Sequence, residues 1–80
     1  MKFQFPQEFI VRRELYAIQH FGQSRLEPIP AGAFIIAERQ SAYARMSEVV
    51  WQGQLYLVFD RDLAERAEPA RKSTQFMFAS

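Results

Sequence analysis

Two apolar segments joined by a short glycine-containing link limit the fold of this chain more than any other feature. Residues 47–51 and 55–59 are rich in β-branched and aromatic side chains, and residues 52–54 (Gln-Gly-Gln) lie between them. This composition is typical of two antiparallel strands, and we expect Gly53 to adopt a positive φ in the turn. Because side chains alternate along a strand, residues 55–59 are apolar on both faces. They are therefore predicted to be buried on two sides or to belong to a small closed barrel.

A second strand is predicted upstream of this hairpin. Pro30 and Gly32 are turn residues, because proline cannot donate to a strand ladder and glycine tolerates a positive φ. Residues 33–37 (Ala-Phe-Ile-Ile-Ala) follow them directly. The strand is expected to begin just after Gly32.

A short helical turn is predicted downstream of the hairpin, near residues 61–67. Asp60 or Asp62 is expected to cap its start, with Glu65 three residues after Asp62 as in a capping box. Pro69 is expected to end it. The chain is predicted to be a single domain spanning residues 1–80, whose tail at 69–80 is either flexible or a last strand near 73–78.

Residues 7–21 are compatible with two structures. Read as a helix, they follow Pro6 and precede Gly22, which are favoured at a first turn and a C-terminal cap. A helical wheel also places their apolar side chains on one broad face; these are Ile10, Val11, Leu15, Ala17, Ile18 and Phe21. Read as a strand, residues 14–18 alternate acceptably, whereas the polar residues 12–14 interrupt the pattern. Local preference slightly favours the helix.

The order of elements favours the strand, because it resembles small bacterial SH3-like barrel domains. The matching residues are 29–32 (Ile-Pro-Ala-Gly) before a strand, the hairpin 51–59, and Asp-Leu at 62–63. The resemblance covers residues 14–67 and implies a mainly β fold of about five antiparallel strands. Tyr16 is similar to a tyrosine on the first strand of peptide-binding members, but their paired tryptophans and Pro-x-x-Tyr motif are absent. Their proline-peptide groove is therefore not implied. The alternative is an α+β fold with a helix at 7–21 packed on an antiparallel sheet.

The residues that carry most enzyme chemistry are scarce in this sequence. It has no cysteine, and His20 is its only histidine, so we predict no zinc site. It also lacks a glycine-rich phosphate loop and a Gly-x-Ser-x-Gly motif. The clustered carboxylates lack the spacing of a calcium loop and are read as a capped, solvated turn; they are Asp60, Asp62, Glu65 and Glu68. We therefore expect a non-enzymatic protein without a cofactor.

Partners and location follow from the composition. Eight Phe, three Tyr and one Trp in 80 residues are a heavy aromatic load for a chain without disulfides, and small domains of this kind often self-associate. We therefore expect a homo-oligomer with a further protein partner. The formal net charge of +1 gives no global attraction to nucleic acid. No signal-peptide pattern or membrane-spanning apolar run is present, so a cytoplasmic protein without membrane contact is expected.

Four residues are the predicted interaction candidates. Arg39, Tyr43 and Arg45 place two guanidinium groups beside an aromatic ring in a predicted loop, where they can contact an acidic protein surface or stack on a base while binding phosphate. Trp51 is predicted to lie in the core, and if exposed it would mark a binding face. We interpret the protein as an accessory interaction domain. The alternative is a small RNA- or DNA-contacting protein that uses the Arg/Tyr loop.

Overall fold

A computed structural model describes residues 4–19 and 25–70, and within these ranges the chain forms one antiparallel sheet and one helix. The elements in chain order are β1 (Gln7–Val11), β2 (Leu15–Gln19), β3 (Arg25–Ile29), β4 (Phe34–Gln40), β5 (Met46–Trp51), β6 (Gln54–Phe59), α1 (Asp60–Arg66) and β7 (Ala67–Pro69). The strand order across the sheet is β3-β2-β6-β5-β4-β1-β7. The sheet curls into a half-barrel. The prediction of a mainly β fold is confirmed.

The alternative prediction of a helix at residues 7–21 is wrong for residues 7–19, the part of this segment that the structure describes. β1 and β2 occupy this region, and the polar residues between them turn the chain. The backbone N–H groups of Arg12 and Arg13 both donate to the carbonyl of Arg66, at 2.7 and 3.0 Å. β1 is also paired on both sides, with β4 and with β7. These long-range ladders outweigh the local helical pattern, which is a weak preference when a segment can pair in a sheet.

The predicted number and start of the strands also need correction. About five strands were expected, beginning at residues 14–18, whereas the described residues form seven and begin with β1 at Gln7. The additional strands include β3, which pairs with β2 over five residues. The last, β7, is three residues long and pairs with β1. The strand considered near residues 73–78 lies outside the described residues.

The predicted hairpin and the strand before it are confirmed. β5 and β6 pair from Met46↔Phe59 to Trp51↔Gln54, and β4 starts two residues after Gly32, whose φ is +94°. Gln52 and Gly53 connect β5 and β6 with φ values of +52° and +76°. Two consecutive positive φ values are typical of the turn whose twist matches a two-residue hairpin.

The core lies on the inner face of the curled sheet. It is built from alternate residues of the strands together with Leu63 of α1; its members with less than 2% exposure are Phe9, Val11, Leu15, Ala17, Ile29, Ile35, Ala37, Val49, Val58 and Leu63. On β6, Tyr56 and Val58 face this core, and Leu57 on the outer face is also buried. Phe59, two residues further along the outer face, is 49% exposed. Burial on both faces therefore holds for the middle of β6 and ends at Phe59.

Helix α1 begins in a way that differs from the predicted capping box. The N-cap residue is Phe59, which makes no side-chain cap hydrogen bond, and Asp60 is the first helical residue. β6 runs into α1 without a linker, so Asp60 enters the first turn and its carboxylate accepts a hydrogen bond from the buried Ser47 hydroxyl at 2.5 Å. The helix ends at Arg66, before Pro69, which lies in the edge strand β7 where its missing N–H is tolerated. Within the described part of the chain, no helix is long and apolar enough to cross a membrane.

Replacing Gly53 with valine is expected to destabilise the domain by more than about 1 kcal/mol. A Cβ built on Gly53 meets no atom within 4 Å, so the cost comes from the positive φ alone. Urea denaturation of the parent and the variant measures it. Gly53→Asn is the matched control and should cost less, because asparagine tolerates this conformation. Equal midpoints for the parent and the valine variant would contradict the turn assignment.

Candidate interaction surface

The loop between β4 and β5, residues 41–45, is held in a defined conformation by short-range hydrogen bonds. The Ser41 N–H donates to the carbonyl of Met46 at 2.9 Å, and the Met46 N–H donates to the carbonyl of Tyr43 at 3.3 Å. The Tyr43 N–H donates to the Ser41 hydroxyl oxygen at 3.0 Å. Arg45 has a φ of +66°, which a non-glycine residue adopts in a tight turn. The loop therefore presents Tyr43 and Arg45, both exposed, from a closed turn.

Asp60 connects this loop to the start of α1. Its backbone N–H donates to the carbonyl of Arg45 at 2.8 Å. Its carboxylate accepts hydrogen bonds from Ser47 and from the Gln40 amide, the latter at 3.2 Å. The same amide donates to the carbonyl of Met46 at 2.6 Å. β4, β5, the loop and α1 thus meet at Asp60, whose backbone N–H fixes the position of Arg45 relative to the helix.

A groove lies between Arg45 and helix α1, with Phe59 at its wall. Its lining carries two cationic and three anionic side chains with one small apolar residue; besides Arg45 and Phe59 the lining residues are Asp60, Arg61, Asp62, Ala64 and Glu65. Three of these charges belong to loose helical pairs, Arg61–Glu65 and Asp62–Arg66, each at 4.0 Å. The formal charge of the lining is negative, because three carboxylates face two guanidinium groups.

Phe59 also belongs to a row of apolar side chains on the outer face, which we call the aromatic row: Pro28, Tyr16, Phe59 and Met46. Tyr16 is the cross-strand partner of Pro28, and Phe59 is the partner of Met46. β2 pairs with β6 at Ile18↔Leu57, and Tyr16 and Phe59 each lie two residues from this pair, on the same face of their strands. Directly opposed residues share a face of the sheet. Tyr16 is 50% exposed, so the row presents two half-exposed rings, of which Phe59 lines the groove.

The structure places the four predicted interaction candidates in different environments. Arg45 lines the groove, and Tyr43 is 51% exposed on the neighbouring loop. Arg39 lies in strand β4 rather than in a loop, and its guanidinium donates to the Glu48 carboxylate on the next strand. The predicted set of two arginines around a tyrosine is therefore divided, because Arg39 is held in a cross-strand ion pair.

Trp51 is partly buried and packs against the core. Its ring lies 5.9 Å from that of Tyr56, centroid to centroid, at an interplanar angle of 50°. This tilted arrangement is favourable for two aromatic rings. The position agrees with the core interpretation of Trp51 rather than with an exposed binding residue.

Sequence reasoning missed Tyr16 and Phe59 as surface residues. Tyr16 was noted for its likeness to a strand tyrosine and Phe59 as part of an apolar strand, and neither was placed in a site. The sequence of β6 carried an indication of this surface, because the strand is apolar on both faces. A chain with one core can bury only one of these faces in it. An apolar residue at the end of the second face is then a surface candidate, as Phe59 proves to be.

The remaining chemistry-bearing residues form no metal site within the described ranges. No three or more His, Asp or Glu side chains of that part of the chain are grouped to hold an ion. Glu68, the last of the clustered carboxylates, pairs with Arg12 at 2.6 Å. His20 lies outside the described residues.

Comparisons with family models, with curated proteins and with solved structures gave no match to this chain. The surface formed by the aromatic row, Arg45 and the groove along α1 is therefore interpreted from its own chemistry.

Proposed function

We propose that this protein is a non-enzymatic interaction domain that binds a protein segment across the aromatic row and the adjoining groove. The observation that carries the proposal is the half-exposed ring of Phe59 in a groove that Arg45 also lines, with a second half-exposed ring, Tyr16, on the same face of the sheet. Tyrosine and arginine are enriched among the residues that dominate binding energy at protein interfaces. Each ring offers a large apolar area at low conformational cost.

The charges of the groove favour a protein over a nucleic acid. Arg45 faces a helix whose lining side chains are mostly acidic, and phosphates would be repelled by Asp62 and Glu65. Arg39, the second predicted phosphate ligand, is engaged with Glu48. Nucleic-acid binding by a phosphate-contacting surface needs a local excess of positive charge, because counterion release supplies much of the affinity. A peptide with apolar residues for the rings and a basic side chain for the acidic groove would satisfy both parts of the surface.

The same proposal includes an architecture related to SH3-like barrels. The strand order β7-β1-β4-β5-β6, with a helical turn between β6 and β7, supports it. In this arrangement the hairpin β2–β3 occupies the long connection between the first two barrel strands. The aromatic row then draws residues from that hairpin and from the strand that enters the helix. Such a surface is built from separate parts of the sequence, as interaction sites on small β domains are.

Selection of peptides from a random displayed library against the purified protein tests the binding proposal. Peptides should be recovered whose affinity falls about tenfold or more with Tyr16→Ala or Phe59→Ala, since each truncation removes a central ring contact. Phe34→Ala is the matched control, because Phe34 is also half-exposed but lies on β4 outside the aromatic row. Recovery of no peptide sensitive to Tyr16 or Phe59 would refute the proposal.

Fluorescence anisotropy with short single-stranded and duplex oligonucleotides, at low and physiological salt, tests the nucleic-acid alternative. We expect no saturable binding in either buffer. Binding that weakens steeply with salt and is reduced by Arg45→Ala would instead establish phosphate contacts at this surface.

A further inference from the structure

Strand β3 forms one edge of the described sheet, and no other described strand pairs with its outer side. It pairs only with β2 among the described strands, and the opposite edge is the short strand β7. Three of its five residues are exposed, including Leu26 at 66%. An open edge presents backbone N–H and C=O groups that can pair with another strand. Pro28 is the only residue of β3 without a backbone N–H. The rest of the strand can therefore still donate hydrogen bonds.

The position of Pro28 indicates which groups face outward. Proline is tolerated in an edge strand where its nitrogen points away from the ladder. In an antiparallel strand the direction of the N–H and C=O groups alternates along the chain. Leu26, two residues before Pro28, therefore directs its backbone groups to the same open side. A strand added there would exchange two hydrogen bonds with Leu26.

The side chains on either side of Leu26 carry opposite charges on one face. Arg25 and Glu27 lie on the same side of β3, and their charged groups are 3.9 Å apart within the chain. If two copies of β3 pair antiparallel with Leu26 opposite Leu26, then Arg25 of each copy lies opposite Glu27 of the other. Opposite charges directly across a strand pair are stabilising, and like charges are destabilising. This register is self-complementary in charge and in shape.

We propose that two copies of this chain associate through β3, in the antiparallel register centred on Leu26. The two Leu26 side chains meet on the outer face, and two Arg25–Glu27 pairs form on the inner face. In an antiparallel ladder, hydrogen-bonded and non-hydrogen-bonded residue pairs alternate. Because the Leu26 pair is hydrogen-bonded, the flanking Arg25–Glu27 pairs are non-hydrogen-bonded, and opposed side chains lie closest in pairs of that type. The arrangement is isologous, since each copy offers the same patch to the other. It uses the backbone edge of β3, whereas the binding proposal uses the outer face of the sheet; the two surfaces share Pro28, and each proposal rests on its own observations.

A second copy fits this edge better than an unrelated strand. An arbitrary partner must supply an acidic and a basic residue in the order and spacing that oppose Arg25 and Glu27, whereas a second β3 does so by symmetry. A dimer joined through one strand pair buries little area, so association is expected to be concentration-dependent.

A charge-reversal experiment tests the register. Arg25→Glu places two carboxylates opposite each other across the strand pair, and Glu27→Arg places two guanidinium groups there. Each single variant is expected to weaken self-association about tenfold or more, because two cross-strand pairs become repulsive. The double variant Arg25→Glu/Glu27→Arg should recover dimers. An equimolar mixture of the two single variants should form heterodimers, detected by native mass spectrometry, because the pairs are then opposite in sign again.

Arg12→Glu and Glu68→Arg are the matched controls, because they make the same charge changes at an exposed ion pair near β7, the opposite edge of the sheet. Their self-association should equal that of the parent. Circular dichroism and melting temperature report whether every variant is folded. A parent that stays monomeric at high micromolar concentration would overturn the proposal. Single variants that dimerise like the parent, or a mixture without heterodimers, would also overturn it.

Discussion

Replacement of Leu63 with alanine is expected to destabilise the domain by about 2–5 kcal/mol, the range for truncating a buried leucine. Leu63 is completely buried and is the only buried residue of α1. It joins the helix to the core that the strands enclose. A domain of this size has a free energy of unfolding of about 4–12 kcal/mol at 0.05–0.15 kcal/mol per residue. The loss is therefore a large fraction of the total and is expected to leave part of the protein unfolded at physiological temperature.

Urea denaturation followed by the fluorescence of Trp51, the only tryptophan, measures this loss. Leu63→Met keeps the volume and should cost less than about 1.5 kcal/mol. Ala64→Ser, at the exposed neighbouring position, should change stability by about 0.5 kcal/mol or less. A Leu63→Ala variant as stable as Ala64→Ser would mean that α1 does not pack on the sheet.

Replacement of Asp60 with alanine is expected to destabilise the domain by about 2–4 kcal/mol. Hydrogen bonds to a charged group contribute about 1.5–3 kcal/mol, and a carboxylate in the first helical turn adds about 0.3–1 kcal/mol. The variant leaves the hydroxyl of the completely buried Ser47 without its acceptor. It also releases Gln40 from the carboxylate and so loosens the junction of β4, β5 and α1.

A double-mutant cycle with Ser47→Ala isolates the Ser47–Asp60 hydrogen bond. The losses of unfolding free energy in the two single variants should not add up in the double variant. Once Ser47→Ala has removed the hydroxyl, Asp60→Ala no longer breaks a hydrogen bond with it. Asp62→Ala is the control, because Asp62 is also in the first turn but reaches only Arg66, at 4.0 Å. It should cost less than about 1 kcal/mol. Additive losses for Asp60 and Ser47 would show that the buried hydrogen bond contributes no stability.

The parts of the fold that the sequence predicts correctly are those set by neighbouring residues. The hairpin of β5 and β6 depends on β-branched residues around Gly53, and the start of β4 depends on Gly32. The helix after β6 depends on a short polar and apolar alternation before Pro69. In each case a turn residue and the adjacent pattern lie within a few positions, so the local chemistry is sufficient.

The parts that the sequence does not predict depend on distant residues. Arg12 and Arg13 interrupt a helical pattern, and they mark a turn only because Arg66, far along the chain, accepts their N–H groups. β7 is too short to be recognised by itself and exists because β1 provides a ladder. Arg39 was expected to be free because its partner Glu48 becomes adjacent only when β4 and β5 pair.

The candidate surface was predictable only in part for the same reason. Tyr43 and Arg45 were identified from composition, and they remain exposed because the loop itself closes around Ser41. The aromatic row depends on the pairing of β2 with β6, which places Tyr16 and Phe59 on one face of two neighbouring strands. No spacing in the sequence encodes the register of that pairing, since it is set by which face of each strand is buried.

The position of β1 between β4 and β7 has a consequence for the order in which the domain assembles. The ladders of β1 join residues far apart in sequence, such as Val11 with Ala67, whereas β5 and β6 are joined by a two-residue turn. Closing a long loop costs more chain entropy than closing a short one, and non-local pairing slows folding. We therefore expect the β4–β5–β6 meander to form early on the folding pathway and the β1–β7 ladder to close last. Amide hydrogens of β7 should accordingly exchange with solvent faster than those of β5.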